Sequence, residues 1–448
     1  MPGRVSRVSS ATSETVELLR ALVREACVNT GEASSGGEIR AVRVLQRFLA
    51  EAVERRCCET RVFEASPGRA SLVARVRGTD PDAPALGLLG HLDVVPVDAE
   101  RWTHDPFGGD LIEGEIWGRG TVDMLYLTAA FATAFREVAL AEERPRGDLL
   151  LLAVADEEAG SDYGLRWLLR EHPDAFGVTE ALSESGGMRM GDHVVVEVAE
   201  KGSAGRRLVV RGTPGHASIP FGAQSAAYAA GEVLQRLAAV APAVELGALW
   251  RSFVEARIDD PDLAGRMLDP VRLDAALLEL GGIAGYAHAA SRVTISPTVL
   301  RAGQAHNVIP GEAHIDLDIR TLPGTTDDEV DALLAEMLSG LSAEVEVRHL
   351  RGWPATESPE DEPLFDAVRD AIAQTDGSPV VPIMAAGGSD ARLLRELGIP
   401  SYGFGLLSAD WSYERYRQRI HAHDERIDVA SVELTVEALR RIVSARVG

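Results

Sequence analysis

Leu149-Leu-Leu-Leu-Ala-Val-Ala155 runs directly into Asp156-Glu157-Glu158. Seven apolar residues without polar alternation read as a strand buried on both faces, the pattern of strands inside a parallel sheet. Three acids placed straight after such a run are costly to crowd together without a cation. A solvated turn is the ordinary alternative, and the burial implied by the run weighs against it. Working outward, the arrangement recurs. Ala85-Leu-Gly-Leu-Leu-Gly90 stops at His91, and Thr179-Glu-Ala-Leu-Ser183 stops at Glu184. Helical spacing lies between these runs, as over 128–140. Strand–helix–strand alternation predicts an α/β layer fold with a largely parallel sheet. In such folds ligands bind beyond the C-terminal ends of the strands, where these polar residues stand.

The composition agrees with a globular chain. It has 448 residues, 46% of them hydrophobic and 25% charged, with mean hydropathy −0.02. This length predicts two domains. The net charge of −24 repels phosphate backbones and anionic lipid, so neither nucleic acid nor membrane is expected as a partner. Cys27, Cys57 and Cys58 are too few for a disulfide framework and contain no C-x-x-C pair. The N-terminal residues lack a signal-peptide core, and no run approaches a membrane span, so a cytoplasmic location is expected.

The polar/apolar pattern changes near Lys201-Gly202. Helices are expected over 13–28 and 38–55, and strands over 61–64 and 71–76. A strand with an exposed face follows at 205–211, then a helix at 224–240. Residues 312–320 alternate at period two, as a half-buried antiparallel strand does. A helix at 327–341 and a strand at 343–348 complete a smaller sheet with two helices on one face. Residues 250–291 read as a helical insertion within it. The α/β pattern returns with helices at 364–373, 390–397 and 429–447 and strands at 380–384 and 401–404. The expected boundaries are therefore 1–201 plus 351–448 for one domain, with 202–350 inserted into it.

Five constellations carry chemistry. In Gly90-His-Leu-Asp-Val-Val-Pro96, His91 and Asp93 are two apart and face one side of an extended chain. An imidazole ligand with a carboxylate behind it is a usual metal-site arrangement. Asp123, in Trp117-Gly-Arg-Gly-Thr-Val-Asp123, opens a helix, and could either cap it or bridge two metals. Within Asp156-Glu157-Glu158, one glutamate suits a metal and its neighbour suits a general base. Glu184 stands at a strand end. His421 and His423 lie in His421-Ala-His-Asp-Glu425. A site rich in His and carboxylate, with no Cys, suits a catalytic pair of zinc ions better than a closed structural site.

In chain order, GHLDVVP, GRGTVDM, DEE, GTPGHASIP, HNVIPGEAHIDLDIR, GGSDARLLRELGIPSYGFG and HAHDERI resemble the motifs of the zinc aminoacylase, acetylornithine deacetylase, succinyl-diaminopimelate desuccinylase and glutamate carboxypeptidase superfamily. The resemblance runs from about residue 15 to the C-terminus. It implies a catalytic domain with a mixed, largely parallel sheet, and an inserted ferredoxin-like α+β lid and dimerisation domain. By position, His91 matches a ligand of one metal, Asp93 the residue that orients it, and Asp123 the bridging carboxylate, whose following peptide is typically cis. Glu157 matches the general base, Glu158 a ligand of the second metal, and Glu184 the ligand completing the first site. His421 matches the ligand completing the second site, with His423 a bystander. His216 matches a lid residue that stabilises an oxyanion. Asn307 and Arg320 match lid residues holding substrate, Arg320 suiting a free carboxylate. Gly387, Gly388 and Ser389 match a loop lining the substrate pocket.

The resemblance thus implies two divalent ions, Zn2+ with Co2+ or Mn2+ as substitutes, and an N-acyl amino acid or short peptide as substrate. It also implies a homodimer formed through the lid. Leu125-Tyr126 depart from the Lys-Gly usual at this point of the motif. Glu184, where many dipeptidases have aspartate, leans toward a deacylase. An N-carbamoyl amidohydrolase is a second reading, opposed by the absence of histidine at 184. A catalytically silent binding protein on the same scaffold is a third.

Overall fold

The computed structural model describes residues 9–448. Residues 1–8 of the N-terminal stretch read above lie outside the described residues. The chain forms two compact units. One comprises residues up to Val198 with Ser358–Ile383 and Ser389–Gly448; the other comprises Ala199–Glu357 and Met384–Gly388.

In the first unit the apolar run forms strand Asp148–Val154, whose residues from Leu149 on are buried. Leu150, Leu152 and Val154 pack with Phe63, Val73, Leu89, Leu165, Leu168 and Phe176. Each fully buried side chain of this size stabilises the fold by about 1.5–3 kcal/mol. This strand pairs in parallel with Ala85–His91, which pairs in parallel with Glu180–Ser183, and that strand in turn with Ser401–Gly403. Antiparallel strands flank this centre: Glu59–Ser66 and Arg69–Val76 on one side, His193–Glu200 on the other. The sheet is therefore mixed, with a parallel heart.

Register positions the chemistry. His91 lies opposite Val154, and Leu88 opposite Leu182. The three runs therefore end at one sheet edge, and His91, Asp156–Glu158 and Glu184 emerge together. Behind them runs helix Leu125–Leu140, buried on most of its faces. It approaches the sheet closely because residue 90 is glycine: a Cβ there would lie 2.4 Å from Thr128 Oγ1. Helices Ser10–Arg24 and Val429–Val447 pack against it.

In the second unit four antiparallel strands lie in the order Thr294–Ala302, Glu312–Thr321, Gly202–Arg211, Val345–Trp353. Glu312–Thr321 alternates in burial along its whole length. Helices Ala226–Ala239 and Asp327–Met337 contribute Ala230, Val233, Val330 and Leu334 to a core with Leu208, Val210, Ile315 and Leu317. Gly202–Arg211 does not have the exposed face expected at 205–211. It is a central strand, and Leu208, Val209 and Val210 are all buried. Residues 250–291 form helices Ala248–Arg257, Pro261–Met267, Leu273–Leu277 and Ala284–Ala290. Trp250, Phe253, Met267 and Tyr286 give them a core of their own. Lys201, 1% exposed, donates from Nζ to the carbonyls of Ala289 (2.6 Å) and Arg292 (2.7 Å), tying this segment to the start of the central strand.

Among the described residues no helix is long and apolar enough to cross a membrane.

Candidate metal centre and active site

Two triads of potential ligands share one carboxylate. His91, Asp123 and Glu184 form the first; Asp123, Glu158 and His421 form the second. The ligand atoms of each triad lie within 4.8 Å of one another. Asp123 Oδ1 is 3.2 Å from His91 Nε2, and its Oδ2 is 3.1 Å from His421 Nε2. Its two oxygens thus face two histidines, as a bridging carboxylate requires. Glu184 Oε2 lies 3.7 Å from His91 Nε2, and Glu158 Oε2 lies 3.2 Å from His421 Nε2. The capping alternative for Asp123 fails, because helix Leu125–Leu140 has Met124 at its N-cap and no side-chain cap. The Asp123–Met124 peptide is cis.

Asp93 acts differently from the sequence expectation. His91 Nδ1 lies 2.9 Å from the backbone carbonyl of Asp93 and 3.6 Å from its carboxylate. The carboxylate is held elsewhere, by Asn29 Nδ2 (2.8 Å) and by the amides of Glu157 and Glu158 (3.1 Å each). A carbonyl only accepts, so Nδ1 carries a proton toward it, and Nε2 is the ring atom that faces Asp123 and Glu184.

Electrostatics mark the cluster. Burial, and then Glu184, push the Glu157 carboxyl well above its ordinary range. Burial and the neighbouring Asp123 raise Glu184 to about 8 and Glu158 to about 7. Hydrogen bonds to Asp123 and Glu158 lift His421 to about 10. Burial opposes charge on His91, but the surrounding carboxylates, Glu184 foremost, outweigh it and raise its pKa. Burial likewise works against ionised Asp123, yet the two imidazoles hold its carboxyl low. Crowded carboxylates that rise toward neutrality for want of positive charge are what divalent cations relieve. Asp156, Ser185 and His421 all have positive φ (65°, 74° and 58°), so the backbone around the cluster is strained.

The first unit therefore brings together His91, Asp93, Asp123, Glu157, Glu158, Glu184 and His421. His423 is in neither triad. In the second unit, His216 pairs with Val308 in a short ribbon, and the Asn307 carbonyl accepts from the amide of Ala217 (3.0 Å). The Ser218 amide donates to His216 Nδ1 (3.2 Å), so His216 carries its proton on Nε2 and can donate from it. The Arg320 fork holds Asp318, from Nε (2.7 Å) and Nη2 (3.1 Å). Ser389 is buried, and its Oγ accepts from the Ala391 amide (3.1 Å). Gly387 has no atom near the place a Cβ would occupy, whereas one on Gly388 would lie 3.1 Å from Trp353 Nε1.

Glu425 is a residue that the motif reading passed over. Fully buried, it accepts from the amides of Val122 (2.8 Å) and Asp123 (3.2 Å) and from Arg119 Nη1 (2.6 Å). It fixes the turn that presents Asp123. Its presence in the HAHDERI stretch was the one available signal.

Residues 87–445 match peptidase family M20/M25/M40. The chain belongs to this family. Like other M20 members it is a hydrolase acting on amide or peptide bonds. It is 29% identical over 376 residues to a succinyl-diaminopimelate desuccinylase of Wolinella succinogenes, covering 81% of this chain and 83% of the relative. Among solved structures, the M20 metallo-carboxypeptidase Sso-CP2 of Sulfolobus solfataricus superposes with TM-score 0.69 at 16% identity, covering 98% of this chain and 99% of that one. Human carnosine dipeptidase 1 does so with TM-score 0.67 at 18% identity, covering 97% and 96%. At these identities the structural likeness speaks for the M20 fold.

Proposed function

We propose that this chain is a di-zinc hydrolase that cleaves an amide or peptide bond next to a free carboxylate, with N-acyl amino acids preferred over dipeptides. The observation that carries the reading is the pair of triads sharing Asp123, with Glu157 at their side. His91, Asp123 and Glu184 would hold one ion, and Asp123, Glu158 and His421 the other. When bound, the ions supply Lewis-acid activation of water and of the scissile carbonyl. Glu157, which stands beside both triads, takes the proton of the attacking water and returns it to the leaving nitrogen. His216 donates from Nε2 to the developing oxyanion. Arg320 and Asn307 hold the carboxylate end of the substrate, and the Gly387–Ser389 loop lines its pocket. Zinc is preferred for a His and carboxylate donor set, with cobalt and manganese as substitutes. The unit containing His216 serves as a lid and as the contact of a homodimer.

The desuccinylase relative supports the deacylase side of this reading, as does Glu184. A panel of N-acetyl, N-succinyl and dipeptide substrates, assayed with zinc, cobalt and manganese, tests it. Cleavage of dipeptides alone would refute the deacylase preference. Glu157→Gln should lower kcat about 10²–10⁴-fold with metal content intact. Full activity in that variant refutes the assignment of the base.

A further inference from the structure

Behind the cluster lies a buried polar chain that the mechanism above does not use. Arg69 is fully buried. Its Nε donates to both oxygens of buried Glu38 (3.0 and 3.2 Å), its Nη1 to the Glu32 carbonyl (3.2 Å), and its Nη2 to Asp156 Oδ1 (2.6 Å). Asn29 Nδ2 donates both to Asp156 Oδ1 (2.9 Å) and to Asp93 Oδ2 (2.8 Å). The amide of Gly31 donates to Asn29 Oδ1 (2.9 Å), which fixes the orientation of the side-chain amide. Asp93 then accepts from the amides of Glu157 and Glu158. An unbroken series of charge-assisted hydrogen bonds thus runs from Glu38 through Arg69, Asp156, Asn29 and Asp93 to the two peptide groups that aim Glu157 and Glu158.

Two features separate this chain from an ordinary structural pin. Asp156 has left-handed backbone, which a residue bearing a Cβ adopts only where its surroundings enforce it. Here Arg69, Asn29 and the Tyr163 amide (2.9 Å, to Asp156 Oδ2) enforce it. Buried ion pairs are also weak devices for stability, since apolar packing of similar volume serves as well or better. Their strength lies in fixing direction.

We propose that Arg69 and Asn29 are positioning residues, which lock the Asp156–Glu158 turn so that the Glu157 carboxyl is held at the angle its proton transfers need. This rests on the reading of Glu157 as general base. Asn29 suits the task because its amide joins two carboxylates without itself titrating. Arg69 suits it because a planar fork fixes angles as well as distances.

The test uses the full chain loaded with zinc, with Asn29→Ala, Arg69→Met, Arg69→Lys and Glu157→Gln assayed together. Outer-shell groups of this kind typically contribute 10–100-fold. Asn29→Ala and Arg69→Met should therefore lower kcat by about 10–100-fold, with KM within about twofold and metal content equal to the unsubstituted protein. Arg69→Lys should recover part of the loss. A merely structural role would lower the unfolding temperature and leave kcat at 25 °C unchanged. If Arg69→Met fails to fold, Asn29→Ala, which removes one amide, decides. Unchanged kcat in Asn29→Ala and Arg69→Lys, with Glu157→Gln inactive, overturns the positioning role and leaves the base in place. Loss of metal in Asn29→Ala also overturns it, since the chain would then be serving the ligands. An active Glu157→Gln overturns the base and the positioning role together.

Discussion

The two halves of the candidate metal cluster are built in opposite ways. His91 is 1% exposed, sits at the end of a central strand, and has its ring fixed by the Asp93 carbonyl. The His421 side chain is 49% exposed and stands at φ 58° in a turn between helix Tyr413–Arg419 and strand Arg426–Asp428. Both reach the same Asp123. The first half is as rigid as the sheet. The second is closed by a strained, solvent-facing turn, so it should load last and empty first. Motif spelling gives both histidines equal standing; the fold does not.

The strongest way to break the comparison is at the shared ligand. Asp123→Asn should empty both halves and lower kcat by more than about 10⁴-fold, beyond the loss of a single acid–base group. Metal analysis checks it; one tightly held ion remaining would mean that Asp123 serves only one half. Next, the two histidines can be set against each other. His421→Ala should lose one ion, weaken that site by about a hundredfold or more, and regain activity in excess zinc. His91→Ala should not be rescued, because its site lacks an open face for water or added ligand.

The third prediction concerns pH. His421 in the metal-free protein titrates at about 10, against an ordinary 6.5, so its charged form stabilises the fold fully below 6.5. That contribution disappears as pH rises through about 10. Chelated protein should therefore lose thermal stability toward pH 10. Metal binding has the opposite sign, since His421 must first release its proton. Apparent affinity of the second half should rise about tenfold per pH unit up to about 10, and more steeply below about 7, where Glu158 must also ionise. Competition with a chelator across pH 6–10 measures this, and a flat profile would contradict the His421 assignment. The smallest effect is expected at Glu425→Gln. It keeps the shape but weakens the hold on the Asp123 turn, and should cost about tenfold in kcat. A loss equal to that of Asp123→Asn would mean the turn collapses.

Three of the proposed ligands, His91, Glu158 and Glu184, were legible because each ends or follows a strand whose apolar run announces its own end, whereas Asp123 and His421 stood out only through the motifs they share with the family. The supports were not legible. Asn29, Arg69 and Glu425 are single polar residues in unpatterned segments, and their partners are 64, 87 and 306 positions away. No local periodicity encodes such pairings. Strand Thr294–Ala302 was missed because Pro297 breaks the pattern; the fold puts it at a sheet edge, with the register shifting between Pro297 and Val299. Strands Asp110–Ile112, Glu115–Trp117 and Arg426–Asp428 have three residues each, too short for alternation to register. Helix Tyr413–Arg419 reads as polar because only Tyr413 and Tyr416 are buried.

Lys201 is the one lysine of the chain. Its amine is enclosed, spoken for by two carbonyls, and lowered to about 7 by burial and then by Arg320 and Arg292. Amine-directed reagents therefore meet no accessible lysine on the native surface. Once the inserted helices lift away, the burial that lowers it is gone, and Lys201 becomes an ordinary lysine amine, reachable by such reagents for the first time. The fraction of Lys201 acetylated over time, read by mass spectrometry, would then report how often that segment opens, with no engineered label.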